Sequence, residues 1–200
     1  WSYQTILDRD GTMLTPEQRR LLESVLGATL RMIDLVNDLL SVARIEEGRF
    51  GIRLRKQSIA PLLEQFITRY AMLGKEKGVS FTLNLPKDKP LPDLVFDEER
   101  IAMVLDNFLD NGLKYTEPGG TVVMRALENG GKVLVEVQDS GIGIPPPQLH
   151  RVFTKFFRAD NAVRLHTSGT GLGLYVAKNI IEKHEGAIDV VHLPQTKKDP

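Results

Sequence analysis

The strongest constraint on the fold is a pair of glycine-rich turns, each joined to a regular element. The first, residues 139–145, ends an alternating apolar run, and its Gly141 and Gly143 let a flat group approach the backbone closely. The second, residues 169–174, has three alternating glycines where a helical pattern begins. The N–H groups and positive dipole end of a helix N-terminus suit phosphate.

A polar stripe marks a third segment, which begins after Asp97. Asn107, Asn111 and Lys114 share one helical face, while other positions of the segment are apolar. Solvated faces prefer Glu, Lys and Gln because Asn is a poor helix former, so a ligand role is favoured over a solvated stripe. The Asn111 carbonyl oxygen suits Mg²⁺ balanced by phosphate, and Lys114 offers a point charge. The three clusters together predict a purine-triphosphate site.

These clusters carry a family resemblance. Residues 107–115 match an N box, residues 139–145 a G1 box and residues 169–174 a G2 box. An F box is matched by Phe153, Phe156 and Phe157. The chain therefore resembles the ATP-binding catalytic domain of sensor histidine kinases, in the family shared with gyrase, Hsp90 and MutL. The likeness covers about residues 44–191, and a weaker one, to the second helix of the dimerisation and phosphotransfer domain, covers residues 15–48.

The resemblance implies a role for each matched residue. Asn111 would bind Mg²⁺, Asn107 and Lys114 would contact phosphate, and Asp139 would accept a hydrogen bond from the exocyclic amine of adenine. Tyr115 matches a position near the nucleotide, with a core aromatic as the alternative. Arg158 matches a basic lid residue, with an ordinary solvated arginine as the alternative. The other expected nucleotide-binding residues are Gly141, Gly143, Gly169, Thr170, Gly171, Leu172, Gly173 and Leu174.

The element order predicts an α+β fold, a two-layer α/β sandwich with a mixed sheet, preceded by a helical hairpin. Residues 1–48 would form part of the hairpin and residues 49–200 the catalytic domain. Strands are expected at 52–59, 79–85, 121–127, 132–138 and 187–191, and helices at 61–77, 97–115 and 171–184. Prolines mark residues 86–92 as a surface loop, and residues 145–168, without an amphipathic pattern, as a mobile lid.

The helix from Thr15 to about Glu47 carries two apolar seams. Thr15, Pro16 and Gln18 form a capping-box start, and Gly48 gives a stop. A broad apolar face must be buried, either against the chain's own globular domain or in a dimeric four-helix bundle, and we favour the bundle and hence a homodimer. The seam residues are Leu22, Val25, Leu26, Leu30, Met32, Ile33, Val36, Leu39, Leu40 and Ala43.

The amino-acid composition argues against several classes of protein. The 26 basic and 26 acidic side chains cancel, so no global field favours nucleic acid or an anionic membrane. Cysteine is absent, which fits a reducing compartment and thus a cytoplasmic location. No apolar run approaches the roughly 20 residues that span a bilayer, so no membrane contact is expected, although the parent can be anchored elsewhere.

The resemblance also shows what to expect of function. A histidine kinase transfers the γ-phosphate of ATP to a histidine on the first hairpin helix and then to a response-regulator receiver domain. None of the four histidines here, His150, His166, His184 and His192, has that setting, so we expect ATP binding without autophosphorylation. The C-terminal residues also lack the family's last glycine turn and strand. Two alternatives stay open: a non-kinase ATPase using Asp106 to activate water, and a non-catalytic dimeric signalling module.

Overall fold

The computed structural model describes residues 14–86, 90–165 and 169–193. The chain divides into two compact units, Trp1–Arg49 and Phe50–Pro200. No helix in these described ranges combines the length and apolar character needed to cross a bilayer.

The first unit contains one long helix, α1, spanning Pro16–Glu46. Its start is the expected capping box: the Gln18 backbone N–H donates to Thr15 Oγ1 at 3.2 Å, and the Thr15 N–H donates to Gln18 Oε1 at 2.9 Å. It ends at Glu46, two residues before Gly48, whose φ of +67° is the left-handed conformation that glycine adopts readily. The predicted helix is therefore confirmed, whereas residues 1–13 of the predicted hairpin region lie outside the described residues.

The described residues of the second unit contain five strands in two sheets. β1 (Arg55–Ser58) pairs antiparallel with β3 (Asp93–Phe96). β2 (Ser80–Asn84) pairs parallel with β4 (Thr121–Asn129), and β4 pairs antiparallel with β5 (Lys132–Asp139), so the larger sheet is mixed, as predicted. The β4–β5 hairpin turns at Gly130 and Gly131, whose φ values are +60° and +80°, as the two-residue turn that matches strand twist requires.

Helices α2 (Ala60–Lys77) and α3 (Glu98–Tyr115) form the second layer, with α5 (Gly173–Lys183) packed against α3. The described residues also contain a 3₁₀ helix at Pro146–Arg151 and the short helix α4 (Asp160–Leu165). Alternate residues of the mixed sheet meet the apolar faces of α2 and α3 in one core. Its members include Leu62, Leu63, Phe66, Tyr70, Phe81, Leu105, Leu109, Leu113, Val122 and Met124. The α+β two-layer architecture is thus confirmed.

Three predictions about elements need correction. β3 was not predicted; its four residues are too few for alternation to be visible, and its partner β1 is equally short. The predicted strand at 187–191 is wrong: the alternation is there, but no described strand hydrogen-bonds to it, and the Val190 N–H donates to Asp189 Oδ1 at 2.7 Å instead. The lid segment contains two short helices, the 3₁₀ helix and α4, although it shows no amphipathic period.

Candidate functional site

A histidine joins α3 and α5, the two helices that carry candidate residues. The Asp97 N–H, at the start of α3, donates to His184 Nε2 at 3.0 Å, just past the end of α5. His184 Nδ1 lies 2.7 Å from the Ile180 carbonyl oxygen. Because Nε2 accepts, Nδ1 must donate, so this imidazole is neutral. It does not act as the cation that a helix C-terminus would favour.

The buried Asp97 carboxylate caps α3. Oδ1 accepts the Arg100 N–H at 3.1 Å, and Oδ2 accepts the Arg53 N–H at 2.6 Å. Burial alone would raise the pKa of Asp97. The two backbone hydrogen bonds, with the nearby charge of Arg100, outweigh burial and hold the pKa below the ordinary value of 3.8. The ionised cap fixes the N-terminus of the helix that bears Asn107 and Asn111.

The first turn is held against the C-terminal end of α3. The Ile142 N–H donates to the Tyr115 carbonyl at 3.1 Å, and Asp139 Oδ1 accepts the Gly141 N–H at 2.9 Å. On α3, a Cβ added to Gly112 would lie 3.3 Å from Val122 Cγ1 and 3.8 Å from Asp139 Cβ. The absence of a side chain at Gly112 therefore lets α3 approach Val122 and Asp139 of the sheet closely.

Two glycines of this turn are sterically required. A Cβ on Gly141 would overlap the Tyr115 carbonyl oxygen. Gly143 has a φ of +64°, and a Cβ there would lie 3.2 Å from His192 Cε1. Because these positions carry no side chain, the main chain beside Asp139 is uncovered, and a planar ring can lie close to it.

Cationic side chains gather at the second turn. A Cβ on Gly169 would lie 3.2 Å from Lys114 Nζ and 3.5 Å from Arg158 Nε. The pKa of Lys114 is lowered, first by burial and then by the positive charges of Arg158 and Lys77. Lys114 Nζ also lies 5.4 Å from the centroid of the Tyr115 ring. Like charges brought together in this way are stabilised by an anion.

The second turn packs tightly between two other parts of the site. Gly171 has a φ of +68°, and a Cβ there would lie 2.8 Å from the Phe157 carbonyl oxygen. A Cβ on Gly173, the first residue of α5, would overlap Asn107 Oδ1. Glycine at these positions therefore lets the F box, the second turn and the polar face of α3 meet without intervening side chains.

The amide of Asn107 is partly committed to its own helix. Its Nδ2 donates to the Met103 carbonyl at 2.9 Å, and an amide nitrogen has a second N–H to offer a ligand. Asn111, one turn further on, is half-buried. At the start of α5, Leu172 is fully buried and its N–H donates to Thr170 Oγ1 at 3.2 Å, while Leu174 is half-buried.

The residues predicted from sequence fall into two connected groups in one unit. The group around the first turn comprises Asp139, Gly141, Gly143 and Tyr115. The group around the second comprises Lys114, Arg158, Gly169, Thr170, Gly171, Leu172, Gly173, Leu174, Asn107 and, one helical turn along α3, Asn111. Gly112 and His184 were missed as positioning residues. A glycine inside a helix costs about 1 kcal/mol relative to alanine, and that signal could have identified Gly112.

A network on the α2 side of α3 was also missed. The buried Tyr70 hydroxyl lies 2.9 Å from Asp106 Oδ1 and 2.8 Å from Asp110 Oδ1, and Arg69 pairs with Asp106. Burial and the charge of Asp110 raise the pKa of Tyr70 well above its usual range. Asp106, the alternative base for an ATPase, is thus held by α2 residues.

Comparison with known proteins defines the class. Residues 96–199 match the family described as histidine kinase-, DNA gyrase B-, and HSP90-like ATPase. The match spans more than half of the chain and includes α3, both glycine-rich turns and α5. The chain belongs to this family of ATP-binding domains.

Individual relatives are sensor proteins. The chain is 35% identical over 182 residues to the sensor protein SrrB of Staphylococcus aureus, covering 90% of this chain and 31% of SrrB. The crystal structure of full-length ShkA in complex with AMPPNP matches with a TM-score of 0.74 and 30% identity, covering 90% of this chain and 37% of ShkA. The chain thus spans about a third of the length of these relatives.

A third likeness is one of fold. The histidine kinase ThkA, solved in complex with the response regulator protein TrrA, matches with a TM-score of 0.65 at 20% identity, covering 92% of this chain and 50% of ThkA. The architecture described above is therefore that of histidine kinase structures, which confirms the family resemblance seen in the sequence.

Proposed function

We propose that the second unit binds ATP with Mg²⁺, the adenine at Asp139 and the phosphates at the second turn. The proposal rests on the different chemistry at the two ends of the site. At the first glycine-rich turn, the Asp139 carboxylate is an acceptor beside glycine backbone, and at the second turn Lys114 and Arg158 lie beside Gly169. The exocyclic amine of adenine can donate to Asp139, whereas guanine presents a carbonyl oxygen at that position and should be rejected.

The donor chemistry also fits Mg²⁺ held largely by the nucleotide. Among the described residues, no three His, Cys, Asp or Glu side chains converge as a metal site. A magnesium ion commonly uses one or two protein oxygens together with substrate phosphates and water. The Asn111 carbonyl oxygen would be that protein ligand, and Asn107 would bind phosphate. Magnesium bound there would neutralise phosphate charge and orient the γ-phosphate.

For the whole protein, we propose a sensor histidine kinase that transfers the γ-phosphate to a histidine on a dimerisation hairpin, and then to a response-regulator receiver domain. The proposal rests on family membership and on the similarity to the sensor SrrB. Residues 1–48 would be part of that hairpin and residues 49–200 the ATP-binding domain. The absence of cysteine and the need for ATP favour a cytoplasmic location for this region.

We further propose that α1 forms a homodimer. Six apolar residues along its second half are 42–62% exposed in the single chain, which is a large apolar surface for one helix. Such a surface marks a protein interface. A second copy of α1 would bury it in a bundle, as the two-seam pattern requires. The six residues are Leu30, Met32, Ile33, Val36, Leu39 and Leu40.

Calorimetry and a transfer assay test the proposal together. We expect ATP to bind with Mg²⁺, GTP to bind at least tenfold more weakly, and label from ATP to reach a supplied hairpin that carries its histidine. Binding followed by phosphate release without transfer would favour the ATPase alternative. No binding of ATP by the folded protein would favour the non-catalytic module.

A further inference from the structure

The short helix α4 is tied to the first glycine-rich turn by one side chain. Asn161 Nδ2 donates to the Gly143 carbonyl at 2.8 Å and to the Ile142 carbonyl at 3.3 Å. Asn161 Oδ1 accepts the Ala162 N–H at 3.0 Å, which fixes the orientation of the amide. Both ends of the amide are therefore used, and its nitrogen points at the turn.

The next residue ties α4 to the phosphate end of the site. The Ala162 carbonyl accepts a hydrogen bond from Arg158 Nη2 at 3.4 Å, and Ala162 is itself buried. Two consecutive residues of α4 thus contact the first glycine-rich turn, the proposed adenine end of the site (the adenine turn), on one side and Arg158, at the proposed phosphate end, on the other. The Gly143 carbonyl and Arg158 are thus linked through the Asn161 side chain and one peptide unit.

The start of α4 is held independently. Gln148 Nε2 donates to Asp160 Oδ2 at 2.6 Å, and the Asp160 N–H donates to Gln148 Oε1 at 3.1 Å. These reciprocal bonds fix α4 to the 3₁₀ helix whatever happens at Asn161. Loss of the Asn161 amide should therefore loosen the link to the turn without releasing the helix.

We propose that Asn161 is a positioning residue that couples the adenine turn to Arg158. Binding of the purine at this turn then places the Arg158 guanidinium at the phosphates. The inference rests on the proposed ATP site. An interaction that links two parts of one site appears as non-additivity when both are changed. Asn161 need not touch the nucleotide to exert this effect.

The test is a double-mutant cycle read with two ligands. Asn161→Ala should weaken ATP binding about tenfold, because both hydrogen bonds from the side chain to the turn are lost, together with the one that orients the amide. It should leave adenosine binding within about twofold, since adenosine has no phosphate for Arg158 to reach. Asn161→Asp, which sets an anionic oxygen against two carbonyl oxygens, should weaken ATP binding further. Arg158→Ala should also be introduced into the Asn161→Ala protein. The logarithm of the fold-loss in ATP affinity that it causes there should be less than half of that caused by Arg158→Ala in the wild type.

Asn179→Ala is the matched control. The Asn179 side chain also donates from Nδ2 to a backbone carbonyl, that of Tyr175 at 2.9 Å, but within its own helix. This variant should bind ATP as the wild type does. Thermal unfolding without nucleotide, measured for each variant, separates a folding defect from a binding defect.

Three results would overturn the inference. Equal losses for ATP and adenosine would show that Asn161 only supports the turn. Additive losses in the cycle would show that it acts independently of Arg158. A wild-type protein that binds neither ligand would instead refute the proposed ATP site, and the inference with it, so the two failures are distinguishable.

Discussion

At the residue scale, single charged groups give the two ends of the site their chemistry. Asp139 supplies an acceptor at the end of β5, and Lys114 lies half-buried among like charges beside Gly169. Neither depends on a long-range field, because the charges of the whole chain cancel. Substitution of single residues should therefore act locally and separate adenine recognition from stability.

Asp139→Asn should weaken ATP binding by tenfold to a hundredfold. A hydrogen bond to a charged acceptor is worth about 1.5–3 kcal/mol, and asparagine offers only a neutral oxygen. Calorimetric titration of both proteins measures the difference, with circular dichroism to show that the variant is folded. Equal affinities would remove Asp139 from adenine recognition.

The Asp97 cap predicts a loss of stability in acid. Its pKa in the folded state lies below 3.8, so its contribution is present above the unfolded-state pKa and is lost as the pH falls through the folded-state value. In Asp97→Asn the free energy of unfolding should fall by about 1 kcal/mol at pH 7. It should then depend less on pH than that of the wild type below about pH 4.

Denaturant unfolding at a series of pH values makes this measurement. Asp93→Asn is the control, because Asp93 is an exposed carboxylate four residues earlier on β3. If the wild type and Asp97→Asn lose stability in parallel down to the lowest pH, Asp97 does not contribute to the acid transition.

At the element scale, α3 is the part on which the site depends. Asp97 and His184 hold its start, the Tyr70 network holds its α2 side, and Gly112 lets it approach β4 and β5. The apolar positions of α3 explain why it packs against the sheet, but they do not explain how closely it approaches β4 and β5. The close approach at Gly112 determines where Asp139 lies relative to Asn111.

Gly112→Val should both destabilise the second unit and weaken ATP binding. The added side chain would meet Val122 in the core, and overpacking of this kind costs about 1–3 kcal/mol. Gly27→Val on α1 is the control, since a Cβ there meets only the flexible end of Arg31 at 3.2 Å. Urea unfolding and ATP titration report the two effects. ATP affinity unchanged in a destabilised Gly112→Val would separate Gly112 from the site.

At the scale of the whole molecule, the settings of the histidines in the described residues bear on phosphate transfer. His184 follows α5, whose eleven residues place it about 16 Å from Gly173, and its Nε2 is occupied by the Asp97 N–H. His192 lies beside Gly143 at the opposite turn, and His150 is exposed on the 3₁₀ helix. None of the four histidines belongs to α1.

A polypeptide of these 200 residues should therefore gain no phosphohistidine when incubated with ATP and Mg²⁺. Transfer needs an acceptor nitrogen held in line with the γ-phosphate and an adjacent base. Adding a first hairpin helix with its histidine should restore transfer. Acid-labile label on the 200 residues alone, mapped by mass spectrometry to one of the four histidines, would contradict this expectation.

The sequence by itself determined most of the elements and the class of the protein. Strong local signals, such as the capping box at Thr15, the glycine pair of the β4–β5 hairpin and the periodic face of α3, act within a few residues and are therefore visible in the chain. Fixed spacings of asparagine and glycine identified the family for the same reason.

Only the tertiary structure decided which of the segments that carry these signals come into contact. The strand predicted at 187–191 has the right alternation but no hydrogen-bonded partner, while β3 lacks a clear pattern and pairs with β1. His184 became a neutral acceptor for Asp97, and Asn161 reached the adenine turn, because residues distant in sequence were brought within hydrogen-bonding distance. Strand pairing and such contacts depend on the partner as much as on the segment itself, and the partner is supplied by the fold.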